Sequence, residues 1–210
     1  MAMCSVPGPQ ATACEAAPRS FSRSSVLLRE GERSNAFLFV KSGLLAVRQT
    51  GLDGVDRAIA VIGPGFLIGQ PAAHGLSSLV TVQALTPVSV CEFPLSTLQR
   101  LSQLGQPDLI CLGRYTRQSM AALAAWSHLM RMPGLSQRLA SALRLLAAIQ
   151  PSLATQLPSQ AMLAELLCVT RESVNRAWRE FESRGVVRRR HRRAVDLDVV
   201  ALERLSVGAD

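Results

Sequence analysis

The feature that most constrains this 210-residue chain is the run PSQAMLAELLCVTRESVNRAWREFESRGVVRRRHRR at 158–193, two short helical patterns followed by a burst of arginine. Leu163, Ala164 and Leu167 share one apolar face of a first helix. Pro158 and Ser159 open it, and the Ser159 hydroxyl can accept from the free amides of the first turn. Thr170 is placed to cap a second helix, with Glu172 in its positive first turn. Val174, Ala177, Trp178 and Phe181 repeat at i, i+3, i+4 and i+7 and so pack inward, which leaves Arg171, Glu172, Asn175, Arg176 and Arg179 outward. Gly185 stops the helix. Val186 and Val187, the run from Arg188 to Arg193, then Val195 and Leu197 as a returning strand, predict a basic β-hairpin.

A short helix crossing a second one that carries Arg, Glu, Asn and Arg outward has the layout of a helix-turn-helix. An arginine fork can bind O6 and N7 of guanine, and a carboxylate can accept from N4 of cytosine. Base reading is therefore expected of Arg171, Glu172, Asn175 and Arg176. The hairpin reads as a wing, with Arg188, Arg189, Arg190, Arg192 and Arg193 expected on phosphates, together with Thr170 and Arg179; such contacts fix position without carrying sequence. A solvated helix face would explain mixed charges on the second helix, but not six consecutive basic residues after it. The net charge of +8 points the same way, and residues 131–210 concentrate it, with 13 arginines against eight carboxylates. The expected partner is double-stranded DNA.

Upstream, short β runs at 36–40, 44–47, 58–62, 78–82 and 88–93 are punctuated by Gly31, Gly43, Gly54, Gly65 and Gly69, a pattern of a β-sandwich or jelly roll. A barrel could house a metal enzyme, but His74, His128 and His191 lie in different elements with no paired histidines, and no nucleophilic triad can be assembled. No catalytic residue, no metal and no cofactor is expected. No basic–apolar leader opens the chain, and no stretch reaches the roughly 18–20 apolar residues of a membrane span. A cytoplasmic protein with no membrane partner is expected, its five cysteines reduced.

Residues 108–130 form a helix with two stripes. Leu109, Leu112, Thr116, Met120, Leu123, Ser127 and Met130 follow a seam-like period, and Tyr115, Ala122, Trp126 and Leu129 lie beside them. Residues 118–130 carry no Asp, Glu, Lys or Arg, so this helix must be covered on more than one side. One face suits the barrel and the other a second copy, making Leu112, Met120, Leu123, Trp126 and Met130 the expected homodimer contacts. A hinge is expected at 131–134, then a helix through Leu135, Leu139, Leu143 and Leu146, and a short closing helix at 198–207. The organisation is α+β: a mobile arm over 1–25, a jelly roll over 26–107, a long dimerisation helix and hinge over 108–132, and a winged helix-turn-helix over 133–210.

LAELLCVTRESVNRAWREFESRGVV resembles the winged helix-turn-helix of the Crp/Fnr family of bacterial transcription regulators. REGERSNAFLFVKSGLLAVRQTGLDGVDRAIAVIGPGFLIGQ resembles the same family's cyclic-nucleotide-binding domain. The resemblance implies that Arg171, Glu172 and Arg176 read a TGTGA-type half-site of an inverted-repeat operator and that the central helix dimerises. Cys168 stands where the motif's turn has glycine, so a left-handed backbone there would be strained by about 1–2 kcal/mol. In the effector cassette (Gly69, Gln70, Ser77, Ser78), Gln70 falls at the ribose-binding glutamate and Ser78 at the phosphate-binding arginine. Residues 58–99 contain no Lys or Arg, which predicts a degenerate domain that does not bind cAMP. Cys4 and Cys14 do not match the iron–sulfur pattern of the oxygen-sensing branch. The remaining inputs are an apolar small molecule, haem or redox chemistry at His74, Cys91 or Cys111, or none. The competing function is a ligand- or redox-sensing module that pairs with another protein through the central helix. Activation would need RNA polymerase as a partner, and the loop at 150–157 has no charge to mark that contact.

Overall fold

The computed structural model describes residues 17–96, 107–150, 155–190 and 194–208, with the backbone alone at 107–112. The first of two antiparallel sheets takes the order β1 (Ala17–Phe21), β8 (Val88–Pro94), β3 (Ala36–Ser42), β6 (Leu67–Ile68). The second runs β2 (Val26–Leu28), β7 (Thr81–Ala84), β4 (Leu45–Thr50), β5 (Asp56–Ile62). Alternation places Val40, Leu45, Ala60 and Val90 between them, fully buried.

The sheet starts earlier than expected. The supposed arm enters it at Ala17, where β1 pairs with β8 from Ala17↔Glu92 to Phe21↔Val88. APRSF has no apolar alternation to announce a strand; backbone bonds hold it at the edge, with an Arg19–Glu92 ion pair of 3.0 Å. Residues 1–16, with Cys4 and Cys14, lie outside the described residues. The run at 78–82 is also trimmed, because Ser78 donates through Oγ to Val80 O at 2.7 Å and bends the chain before β7.

Helix α1 (Pro107–Leu129) lies on β5. Trp126 and Leu129 are buried there, and the Trp126 indole donates to Val61 O at 3.2 Å. The helical path then breaks at 130–134, and α2 (Leu135–Ala148) begins. Leu139, Leu143 and Leu146 of α2 are wholly buried, each worth about 1.5–3 kcal/mol of transfer free energy. Against α2 pack α4 (Arg171–Ser183) and α5 (Val199–Ser206), while α3 (Gln160–Leu166) packs on α4 and on β5, and a small sheet is ordered β10 (Val187–Arg189), β11 (Ala194–Leu197), β9 (Thr155–Gln156). Buried residues run as one set from the jelly roll through Trp126 and Leu129 into this second domain.

Candidate nucleic-acid interface

Local sequence fixes the two helices of the motif. Ser159 Oγ accepts from Met162 N at 3.2 Å to start α3, and Thr170 Oγ1 accepts from Ser173 N at 3.2 Å to start α4. Between them Cys168 takes φ 51°, the left-handed turn that a glycine would adopt without strain. Its amide donates to Glu165 O at 3.1 Å, and that of Val169 to Ala164 O at 3.0 Å, closing the end of α3. Arg138 of α2 reaches the same turn and donates through Nη1 to Leu167 O at 3.0 Å. A cation at a helix C-terminus is favourable there. Its buried Nε has no hydrogen-bond partner among the described residues.

Val174, Ala177, Trp178 and Phe181 face inward and are buried, which turns Arg171, Glu172, Arg176 and Arg179 to solvent, with Asn175 half-buried beside them. The first three lie on one face near the N-terminus of α4. Arg176 leans on Ser173 Oγ at 3.3 Å. Thr170 is committed to its cap, so its hydroxyl orders the helix start as well as facing outward. Gly185, at φ 71°, releases the chain into the wing. There β10 pairs with β11 from Val187↔Leu197 to Arg189↔Val195, and Arg190 N donates to Ala194 O at 3.0 Å. Arg188, Arg189 and Arg190 are exposed; Arg192 and Arg193 lie outside the described residues.

Charge in the wing is not uniform. Arg189 Nε donates to Glu182 Oε1 at 2.7 Å, and the same oxygen accepts from Trp178 Nε1 at 2.9 Å. Burial pushes the Glu182 carboxyl up, but these two bonds and the charges of Arg189 and Arg179 outweigh it and hold the group below its ordinary value. Arg190 stands 3.6 Å from Asp196, whereas Arg188 has no carboxylate partner among the described residues. Sequence reasoning gave Glu182 no role, although its i, i+4 spacing from Trp178 was a usable signal.

Gln70 and Ser78 of the effector cassette make hydrogen bonds within the chain. Gly69, at φ 94°, is required, since a Cβ there would come within 2.6 Å of Ala36 O. It leads into a 3-10 turn, Gln70–His74. Gln70 Nε2 donates to Ser119 Oγ of α1 at 3.2 Å. Ser78 is buried, and its Oγ both donates to Val80 O and accepts from Val80 N; Ser77 is half-buried nearby. No guanidinium enters from the cassette's own residues.

On α1, Met120 and Leu123 are exposed, 67% and 40%, beside exposed Ala121, Ala124 and Ser127. Trp126 requires a correction. Trp126 is only 3% exposed and bonded to Val61 O, so it belongs to the stripe that covers the jelly roll, whereas Met130 is half-buried against the continuous core. The side chain of Leu112 lies outside the described residues, as does that of Cys111. Cys91 is buried in β8.

One contact was not anticipated. Glu165, on α3, bridges to the jelly roll: Arg48 Nη2 donates to its Oε1 at 2.8 Å, and Ala58 N to the same oxygen at 2.9 Å. Arg48 also donates through Nε to Asp56 Oδ2 at 2.6 Å, and its side chain is 14% exposed. Burial lowers the Arg48 pKa, but the hydrogen bonds to Asp56 and Glu165 prevail and leave it raised. Partners 117 residues apart leave no local pattern to read.

The family described as cyclic nucleotide-binding domain matches residues 18–104, and that described as Crp-like helix-turn-helix domain matches 137–205. Among solved structures, FixK2 from Bradyrhizobium japonicum superposes with a TM-score of 0.78 at 20% identity, over 90% of this chain and 96% of that one. TTHB099, a transcriptional regulator of the CRP family from Thermus thermophilus, gives 0.69 at 23% identity, over 90% and 96%. The c-di-GMP responsive global regulator CLP from Xanthomonas campestris gives 0.62 at 20%, over 87% and 93%. No curated protein matches the sequence significantly.

Proposed function

We propose that this chain, which belongs to the Crp/Fnr family of transcription regulators through both of its domains, reads an inverted-repeat operator as a homodimer without cAMP. The regulators it resembles are not enzymes, and its function is carried by binding. The observation that carries the reading is the outward face of α4, where Arg171, Glu172 and Arg176 stand exposed beside a basic wing. Arg171 and Arg176 suit bidentate contacts to guanine, and Glu172 suits the N4 amine of cytosine. Thr170, Arg179 and the wing arginines suit the flanking phosphates.

Two further observations support independence from cAMP and pairing of two copies. The Gln70–Ser119 bond and the self-satisfied Ser78 occupy positions at which a cyclic nucleotide would need a carboxylate and a guanidinium. A phosphate held without that guanidinium forgoes a charge-assisted bond of about 1.5–3 kcal/mol. The uncharged, exposed Met120–Leu123 face of α1 suits a second copy, and a two-fold pair sets its recognition helices about one helical turn apart.

Selection from random duplex followed by footprinting tests the reading. Two inverted half-sites are expected. Arg171→Ala should cost roughly 1–3 kcal/mol and relax preference at one base pair, whereas Arg188→Ala should weaken all sequences alike and lower the salt slope by nearly one unit per subunit. An Arg171→Ala protein that kept full base preference would sink the assignment.

A further inference from the structure

The wing arginines divide by what holds them. Arg188 has no carboxylate partner among the described residues, while Arg189 is tied by Nε to Glu182 Oε1 at 2.7 Å. That oxygen is fixed from the other side too, by the indole N–H of Trp178 at 2.9 Å. Trp178 is 5% exposed and anchored in the core of the domain, so the carboxylate is a rigid post at the end of α4. Arg189 remains 67% exposed along its side chain. A guanidinium is a planar fork of five donors, and commitment of Nε orients the Nη groups that are left.

We propose that Glu182 is a positioning residue for DNA recognition: it tethers the wing to the reading helix through Arg189 and presents that guanidinium, already oriented, to a backbone phosphate. The inference rests on the DNA-reading assignment above and adds to it a residue that touches no DNA. Its consequence is a single register. Base contacts from Arg171, Glu172 and Arg176 are made at a fixed distance from the phosphate that Arg189 holds, so a shift of the wing misaligns the helix.

The sign of one substitution separates this from plain electrostatics. Glu182 is a negative charge near a polyanion, and as a mere charge its removal would tighten binding to every duplex. As a tether its removal weakens the specific complex. Glu182→Gln keeps the size and an acceptor for the Trp178 indole, so the helix is spared; melting temperature and circular dichroism check this.

The test measures Glu182→Gln, Arg189→Ala and the double variant on a duplex selected by the wild-type protein and on random duplex, across a salt series. Expected for Glu182→Gln is a loss of about tenfold on the selected duplex, the size of a charge-assisted contact, with unchanged or tighter binding to random duplex. Arg189→Ala should lose as much and lower the salt slope by about one unit per subunit. In the Arg189→Ala background, Glu182→Gln should cause no further loss. Equal tightening of both duplexes by Glu182→Gln, or losses that simply add in the double variant, would overturn the tether. Should Arg189→Lys restore the salt slope but not the selectivity, the oriented fork rather than the charge is supported. Failure of the wild-type protein to prefer any duplex would overturn the DNA-reading assignment and the tether with it, whereas a Glu182 result alone overturns only the tether.

Discussion

At the scale of single residues, Cys168 is the point where sequence and backbone disagree. Its φ of 51° lies in the left-handed region, which costs an ordinary L residue about 1–2 kcal/mol. The turn survives because its neighbours over-determine it: Leu163, Leu167 and Val174 are buried on either side, and Arg138 caps Leu167 O. Cys168→Gly should therefore raise stability by about 0.5–1 kcal/mol, the relief of strain being partly offset by glycine's freedom in the unfolded chain. Urea unfolding of the two proteins measures it. A variant less stable than the parent would mean that the thiol makes a favourable contact exceeding the strain.

At the scale of elements, legibility followed the range of the interactions. Helices α3 and α4 could be read because Ser159, Thr170 and Gly185 act within a turn of themselves, and because four apolar residues of α4 repeat along a single face. Strands β1 and β6 could not: one is polar and held by its edge ladder, the other is two residues long. Helix α1 was read as two-faced, yet Trp126 was assigned to the wrong face. Its stripe borders the seam, and only the carbonyl of Val61, 65 residues away, decides which way the indole turns. The face left over, with Met120 and Leu123, carries the dimer prediction. Leu123→Glu should convert dimers to monomers, since two carboxylates would meet across an apolar contact without partners. Light scattering reports the mass; an unchanged dimer with intact fold would move the interface elsewhere.

At the scale of the whole molecule, the two domains meet at a continuous core and at the Glu165 bridge. Glu165 Oε1 accepts both from the Arg48 side chain and from the backbone amide of Ala58. Partial burial sets the pair apart from a surface ion pair, because breaking it leaves a half-buried charge without its partner. Arg48→Ala should therefore loosen the domain junction, seen as faster tryptic cleavage near Arg131 with little change in the melting of the jelly roll. Unchanged cleavage would assign the junction to the apolar core alone. The amide of Ala58 gives the same contact a clock. Its proton is sheltered by a carboxylate belonging to the other domain, so its rate of exchange with deuterium records how often α3 leaves the barrel. Any event that shifts that docking becomes audible at one peptide bond of β5, far along the chain from the helix that moves.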